Sequence, residues 1–172
     1  QAVHEGKTLI VVEGYVDAIA MVSAGFEGTV APLGTALTEE QLGLLWRIAD
    51  EPILCFDGDK AGRRAAYRAV DLALPKLQPG KSLSFALLPE GQDPDDLIRS
   101  GGRAAMDEVL KSARPLAEIL WMRETESTSF DTPERRAALE ARLNEITGTI
   151  GHEAVRKYYR QDFEARVRAL FM

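Results

Sequence analysis

Pro52-Ile53-Leu54-Cys55-Phe56-Asp57-Gly58-Asp59-Lys60-Ala61-Gly62 runs from an unbroken apolar segment straight into two aspartates and the start of a helix. An apolar run this short, closed by an Asp-Gly turn, reads as a strand buried on both faces. Asp59 is a good N-cap, and the helix it opens reaches about Leu77, where Gln78-Pro79-Gly80 stops it. The same unit repeats on either side. Residues 8–12 form a first strand with a helix over 15–24, residues 28–33 a second strand with a helix from Thr38 to about Ala49, and residues 83–88 a fourth strand. The order βαβαβαβ predicts an α/β domain: a mostly parallel four-stranded sheet flanked by helices on both faces, with right-handed crossovers.

Beyond Asp93 the pattern turns helical. A short helix over 95–100 meets the Gly101-Gly102 break, and helical stretches follow near 103–112 and 115–126. Asp131-Thr132-Pro133-Glu134 is a strong helix start leading to about Ile146, and a last helix from Ile150 carries Val155, Tyr159, Phe163 and Val167 on an apolar stripe. No further strand is expected. The chain therefore divides into a sheet domain over residues 1–110 and a small all-helical subdomain over 111–172, docked on the sheet or on a neighbour.

With 172 residues, 45% of them hydrophobic, the chain can bury one sizeable core and an appendage. No apolar run approaches the roughly 20 residues that span a bilayer, and the opening Gln1-Ala2-Val3-His4 lacks a signal-peptide pattern, so no membrane partner and a cytoplasmic location are expected. The first residue is not methionine, and a piece of a longer protein is the expectation. The single cysteine, Cys55, excludes a disulfide framework or a cysteine-rich zinc module here and reads as core filling. His4 and His152 read as surface residues, and Trp46 and Trp121 as packing. The formal charge of −6 is uneven: 17 acids face 10 Lys and Arg up to Leu110, and 10 face 11 from Lys111 onward. Such a surface repels a polyphosphate chain unless cations or local basic groups invert the field.

Three acidic clusters each follow a strand: Glu13-Gly14-Tyr15-Val16-Asp17, Asp57-Gly58-Asp59 and Asp93-Pro94-Asp95-Asp96. The ends of parallel strands share one edge of a sheet, so carboxylates remote in sequence meet there and repel one another unless cations hold them. An oxygen-lined site for magnesium or a similar hard divalent ion follows, of the kind used in phosphoryl transfer. Each acid also has a bland reading. Glu13 is a solvated strand end, Asp17 serves the first turn of its helix, and Asp59 and one of the Asp93 group are caps. Gly14 leaves room for a close backbone approach. Lys60, Arg63 and Arg64 crowd the first turns of a helix, where the macrodipole disfavours cations, so an anion beside them is expected; a plain basic face is the alternative. The turn Pro32-Leu33-Gly34-Thr35 either presents backbone N–H groups to a phosphate or simply connects a strand to a helix. Phosphate-loop, dinucleotide and Cys-His or Ser-His templates are absent.

Taken in order, Glu-Gly-Tyr-Val-Asp after the first strand, Pro-Leu-Gly-Thr after the second, Phe-Asp-Gly-Asp-Lys-Ala-Gly after the third and Gly-Gln-Asp-Pro-Asp-Asp-Leu after the fourth resemble the Toprim domain of bacterial DnaG-type primases. The resemblance covers roughly residues 8–100, and the tail resembles the C-terminal helices of the primase RNA-polymerase region. It implies a Toprim-like fold and synthesis of short RNA primers from NTPs on single-stranded DNA, a DNA-directed RNA polymerase activity of the nucleotidyltransferase class. It places Glu13, Asp57 and Asp59 as catalytic, with Asp93, Asp17 and Asp95 beside them as metal ligands for two or more Mg2+ or Mn2+ ions. Lys60, Arg63, Gly34 and Thr35 become phosphate contacts. Zinc, the replicative helicase and single-strand binding protein would engage regions outside this chain, and the chain alone would be inactive or weak. Two other classes stay open: a Toprim nuclease or topoisomerase cleaving DNA phosphodiesters, and a non-catalytic docking module of a replication protein.

Overall fold

The computed structural model describes residues 8–32 and 36–172. Strands β1 (Ile10–Val11), β2 (Thr29–Val30), β3 (Ile53–Gly58), β4 (Ser84–Glu90) and β5 (Arg114–Pro115) form one sheet in the order β2-β1-β3-β4-β5. The four expected strands are parallel, with Ile10 opposite both Thr29 and Ile53, and Leu54 opposite Phe85. β5 corrects the expectation of four: it pairs antiparallel with β4 through Arg114 and Pro115. Two residues are too few to show an alternating pattern, and a proline is tolerated in a sheet only at an edge, which is where β5 lies.

Side-chain alternation along the strands sorts the core into two layers. Leu9, Val11, Leu54, Phe56 and Phe85 face one layer, and Ile10, Val12, Cys55, Ala86 and Leu88 face the other. Helices α1 (Tyr15–Ser23) and α4 (Pro94–Lys111) cover the second layer with Met21, Leu97 and Met106. Helices α2 (Glu39–Ile48) and α3 (Lys60–Ala73) cover the first with Leu42, Leu45, Ala66, Ala69 and Val70. Burying Phe85 completely contributes about 2–3 kcal/mol, and truncating it to alanine would cost about 3–5 kcal/mol.

Caps set the helix starts. Thr38 and Gln41 form a capping box at α2, and Asp93 and Asp96 form another at α4. The expected break at Gly101-Gly102 is present: Gly102 leaves the helical conformation at φ 69° and ψ −169°, so α4 is two helical segments meeting at a kink. The tail consists of α5 (Leu116–Thr125), α6 (Pro133–Thr147) and α7 (Glu153–Leu170). Its Leu120, Leu143, Ile150 and Phe163 belong to the same buried cluster as Phe85 and Val70 of the sheet side. Arg123 reinforces the join, donating to Asp71 of α3 at 2.8 Å and to Glu124 at 2.9 Å. Trp46 and Trp121 pack against this cluster as expected. His152 is half-buried ahead of α7, with its Nδ1 enclosed and without a partner among the described residues. His4 lies outside the described residues. No described helix is long and apolar enough to cross a membrane.

Candidate metal centre

Consecutive strand ends deliver the acids to one edge of the sheet. Glu13 follows β1, Asp57 lies at the end of β3, Asp59 opens α3, and Asp93 opens α4 after β4. Two glycines let these segments close on one another. A Cβ at Gly58 would stand 2.0 Å from the Pro89 carbonyl oxygen, and one at Gly62 would stand 2.1 Å from the Asp57 carbonyl oxygen. With only hydrogen there, the Gly58 N–H donates to the Gln92 carbonyl at 3.0 Å and the Gly91 N–H donates to the Gly58 carbonyl at 2.8 Å. The turn carrying Asp57 is thus fastened to the segment carrying Asp93. Beside Gly14 the space is open, with nothing described within 4 Å of where its Cβ would be.

Hydrogen bonds fix the carboxylates individually. Glu13 Oε2 accepts from the Asp57 N–H at 3.1 Å, and Asp17 Oδ1 accepts from the Asp95 N–H at 3.1 Å, tying α1 to the first turn of α4. Asp17 is only 8% exposed, unusual for an aspartate with no cation beside it. Asp59 accepts from the Gly62 N–H at 2.7 Å and so caps α3 with one oxygen. Asp93 Oδ1 accepts from the Asp96 N–H at 2.8 Å, and Asp95 pairs with Arg99 one turn along α4.

Repulsion among these groups shows in their proton affinities. The Asp57 carboxyl is pushed up to about 7, first by burial and then by Glu13, through charge and a shared hydrogen bond, and by the charges of Asp17 and Asp93. Asp17 is raised as well, chiefly by burial; the Asp95 N–H opposes the rise, and Asp93, Asp95 and Glu13 add to it. Asp57 Oδ1 is buried with no hydrogen-bond partner. A hard divalent cation would relieve all three conditions together, because it favours anionic oxygen ligands and accepts several at once. The donor set therefore fits Mg2+ or Mn2+.

The structure brings Glu13, Asp17, Asp57 and Asp93 into mutual range, with Asp95 joined through Asp17. Among the described residues, the one group of three whose carboxylate oxygens all lie within 4.8 Å of one another is Asp93, Asp95 and Asp96; Glu13, Asp17 and Asp57 act on that group through charge and backbone hydrogen bonds. Asp96 stood in the third acidic cluster with no ligand role of its own, and in the structure it closes the capping box with Asp93. Gln92 entered the sequence reading only as a member of the Gly-Gln-Asp-Pro-Asp-Asp-Leu run, yet its Oε1 is the second buried oxygen without a partner. Lys60, Arg63 and Arg64 stand exposed on the first turns of α3, with no ion pair among the described residues. Gly34 and Thr35 lie outside the described residues.

A Toprim domain model matches residues 7–86. The chain is 41% identical over 158 residues to the DNA primase of Rickettsia conorii, covering 92% of this chain and 27% of that protein. It superposes on a DnaG primase catalytic domain bound to single-stranded DNA with a TM-score of 0.84 at 35% identity, covering 95% of this chain and 54% of that one. The Escherichia coli primase catalytic core gives a TM-score of 0.84 at 37% identity, covering 94% and 51%. The chain spans about a quarter of the length of the curated relatives it matches.

Proposed function

We propose, from the premise that this chain belongs with the bacterial DnaG-type primases and carries their Toprim domain, that its acidic edge holds Mg2+ or Mn2+ for nucleotidyl transfer in primer synthesis. One observation supports this most: Asp57 Oδ1 is buried, unpartnered and pressed by the charges of Glu13, Asp17 and Asp93. Bound divalent cations would neutralise an incoming NTP, ease ionisation of the primer 3′-hydroxyl and stabilise charge on departing pyrophosphate.

The chain's own residues have separable tasks. Asp57, Glu13 and Asp93 supply anionic oxygens, and Asp59 offers the carboxylate oxygen that its capping role leaves over. Asp17 holds the Asp95 N–H, so the loop bearing Asp93 keeps its place against α1. Asp95, paired with Arg99, supports that loop more than it offers a ligand. Lys60 and Arg63, exposed at the start of α3, are placed to meet triphosphate or strand phosphates, with Gly34 and Thr35 as further phosphate contacts. No side chain is needed as general base. The template is single-stranded DNA; helicase and single-strand binding protein engage regions outside this chain.

Incubating the chain with NTPs, single-stranded DNA and Mg2+ tests the reading. Little or no primer is expected, because this chain spans about half the length of the matched catalytic domain. Robust primer synthesis by the chain alone contradicts that expectation. Nicking or relaxation of plasmid DNA under Mn2+ would instead favour the nuclease or topoisomerase reading.

A further inference from the structure

Three buried side-chain oxygen or nitrogen atoms among the described residues have no hydrogen-bond partner: Asp57 Oδ1, Gln92 Oε1 and His152 Nδ1. The first two belong to one backbone junction. Gly58, next to Asp57, donates to the Gln92 carbonyl at 3.0 Å, and the Gln92 N–H donates to the Pro89 carbonyl at 3.1 Å. Gln92 is therefore pinned between the turn that carries Asp57 and Asp93, the following residue. A buried amide oxygen without a donor is destabilising. It persists in folded proteins where an absent group supplies the donor.

We propose that Gln92 is a positioning residue for the cation site, its side-chain carbonyl accepting a hydrogen bond from water on the cation held by Asp57 and Asp93. The inference rests on the metal reading given above and extends it to a neutral oxygen that carries no chemistry by itself. A neutral acceptor suits the position. A further carboxylate there would add to the repulsion already acting on Asp57, whereas an amide oxygen orients bound water without adding charge.

Gln92→Leu removes the acceptor and keeps the apolar part of the side chain. Measured by electron paramagnetic resonance of free Mn2+ during titration, its affinity is expected to fall about 10-fold or more, as is usual when an outer partner of a metal site is lost. Without metal, its thermal midpoint should match or exceed the wild type, because the unpartnered oxygen is gone. A lowered metal-free midpoint with unchanged Mn2+ affinity assigns Gln92 a purely structural role and overturns the proposal. Gln92→Glu keeps an acceptor and, if Gln92→Leu does not fold, decides alone: Mn2+ binding at least as tight as wild type is expected, and loss of binding overturns the proposal. Wild-type protein that binds no Mn2+ removes the metal reading as well. Wild-type binding with Gln92→Leu unchanged removes only the role of Gln92.

Discussion

Asp57 is where folding and binding pull against each other. Its carboxyl rises from an ordinary 3.8 to about 7 in the metal-free fold, so the folded state binds more protons than the unfolded state across that interval. The stability it contributes is fully present below about pH 4 and is lost as pH rises through about 7. Part of the group is exposed and screened, so the loss is on the order of 1–2 kcal/mol. Asp57→Asn removes the charge without changing the shape. At pH 8 without metal it should raise the melting temperature by a few degrees, and it should abolish the further rise that Mg2+ gives the wild type. Differential scanning calorimetry at pH 5 and pH 8, with and without Mg2+, measures both effects. A wild type whose metal-free midpoint climbs from pH 5 to pH 8 would contradict the assignment. That Glu13, Asp17, Asp57 and Asp93 lie at one edge was legible in the sequence, because the ends of parallel strands share an edge of the sheet. Asp95, read as a metal ligand, also pairs with Arg99, and Gln92 stood in the fourth motif without a role because a lone amide has no periodicity or charge to single it out.

Among the elements, the joint between β3 and α3 sets the precision of the site. Gly62 packs its Cα against the Asp57 backbone, and the added carbon of Gly62→Ala would stand 2.1 Å from a carbonyl oxygen that cannot turn aside. The helix must retreat from the strand, at a cost of about 1–3 kcal/mol. A melting temperature lowered by roughly 3–10 °C, with weakened Mn2+ binding, is the expected outcome; wild-type values for both would show that the joint is slack. The four parallel strands were legible because their apolar runs are short and each is punctuated by Gly, Pro or Asp. The fifth was not, since Arg114–Pro115 owes its strand geometry to the edge of β4 rather than to local preference. The break inside residues 94–111 was legible as well, because Gly101-Gly102 signals a stop and Gly102 takes a positive φ that other residues rarely adopt.

Taken whole, the sheet and the helical tail share one buried cluster, with Trp121 of α5 stacked on Phe163 of α7 at 6.3 Å and Trp46 of α2 packed on the same cluster. Cooperative unfolding of both parts is expected. Trp46→Phe leaves Trp121 as the only reporter and Trp121→Phe leaves Trp46, so urea unfolding followed by fluorescence should return midpoints that each agree with far-UV circular dichroism of the same variant. A fluorescence midpoint separated from the dichroism midpoint in either variant would divide the chain into two folding units. Composition showed the tail to be helical, but not where it docks, because an apolar stripe does not name its partner. The acidic edge of the sheet is tested most directly by growing crystals in Mn2+ and computing an anomalous difference map. A peak coordinated by Asp57 together with Glu13 or Asp93 is expected; ordered carboxylates with no peak among them would contradict the metal reading.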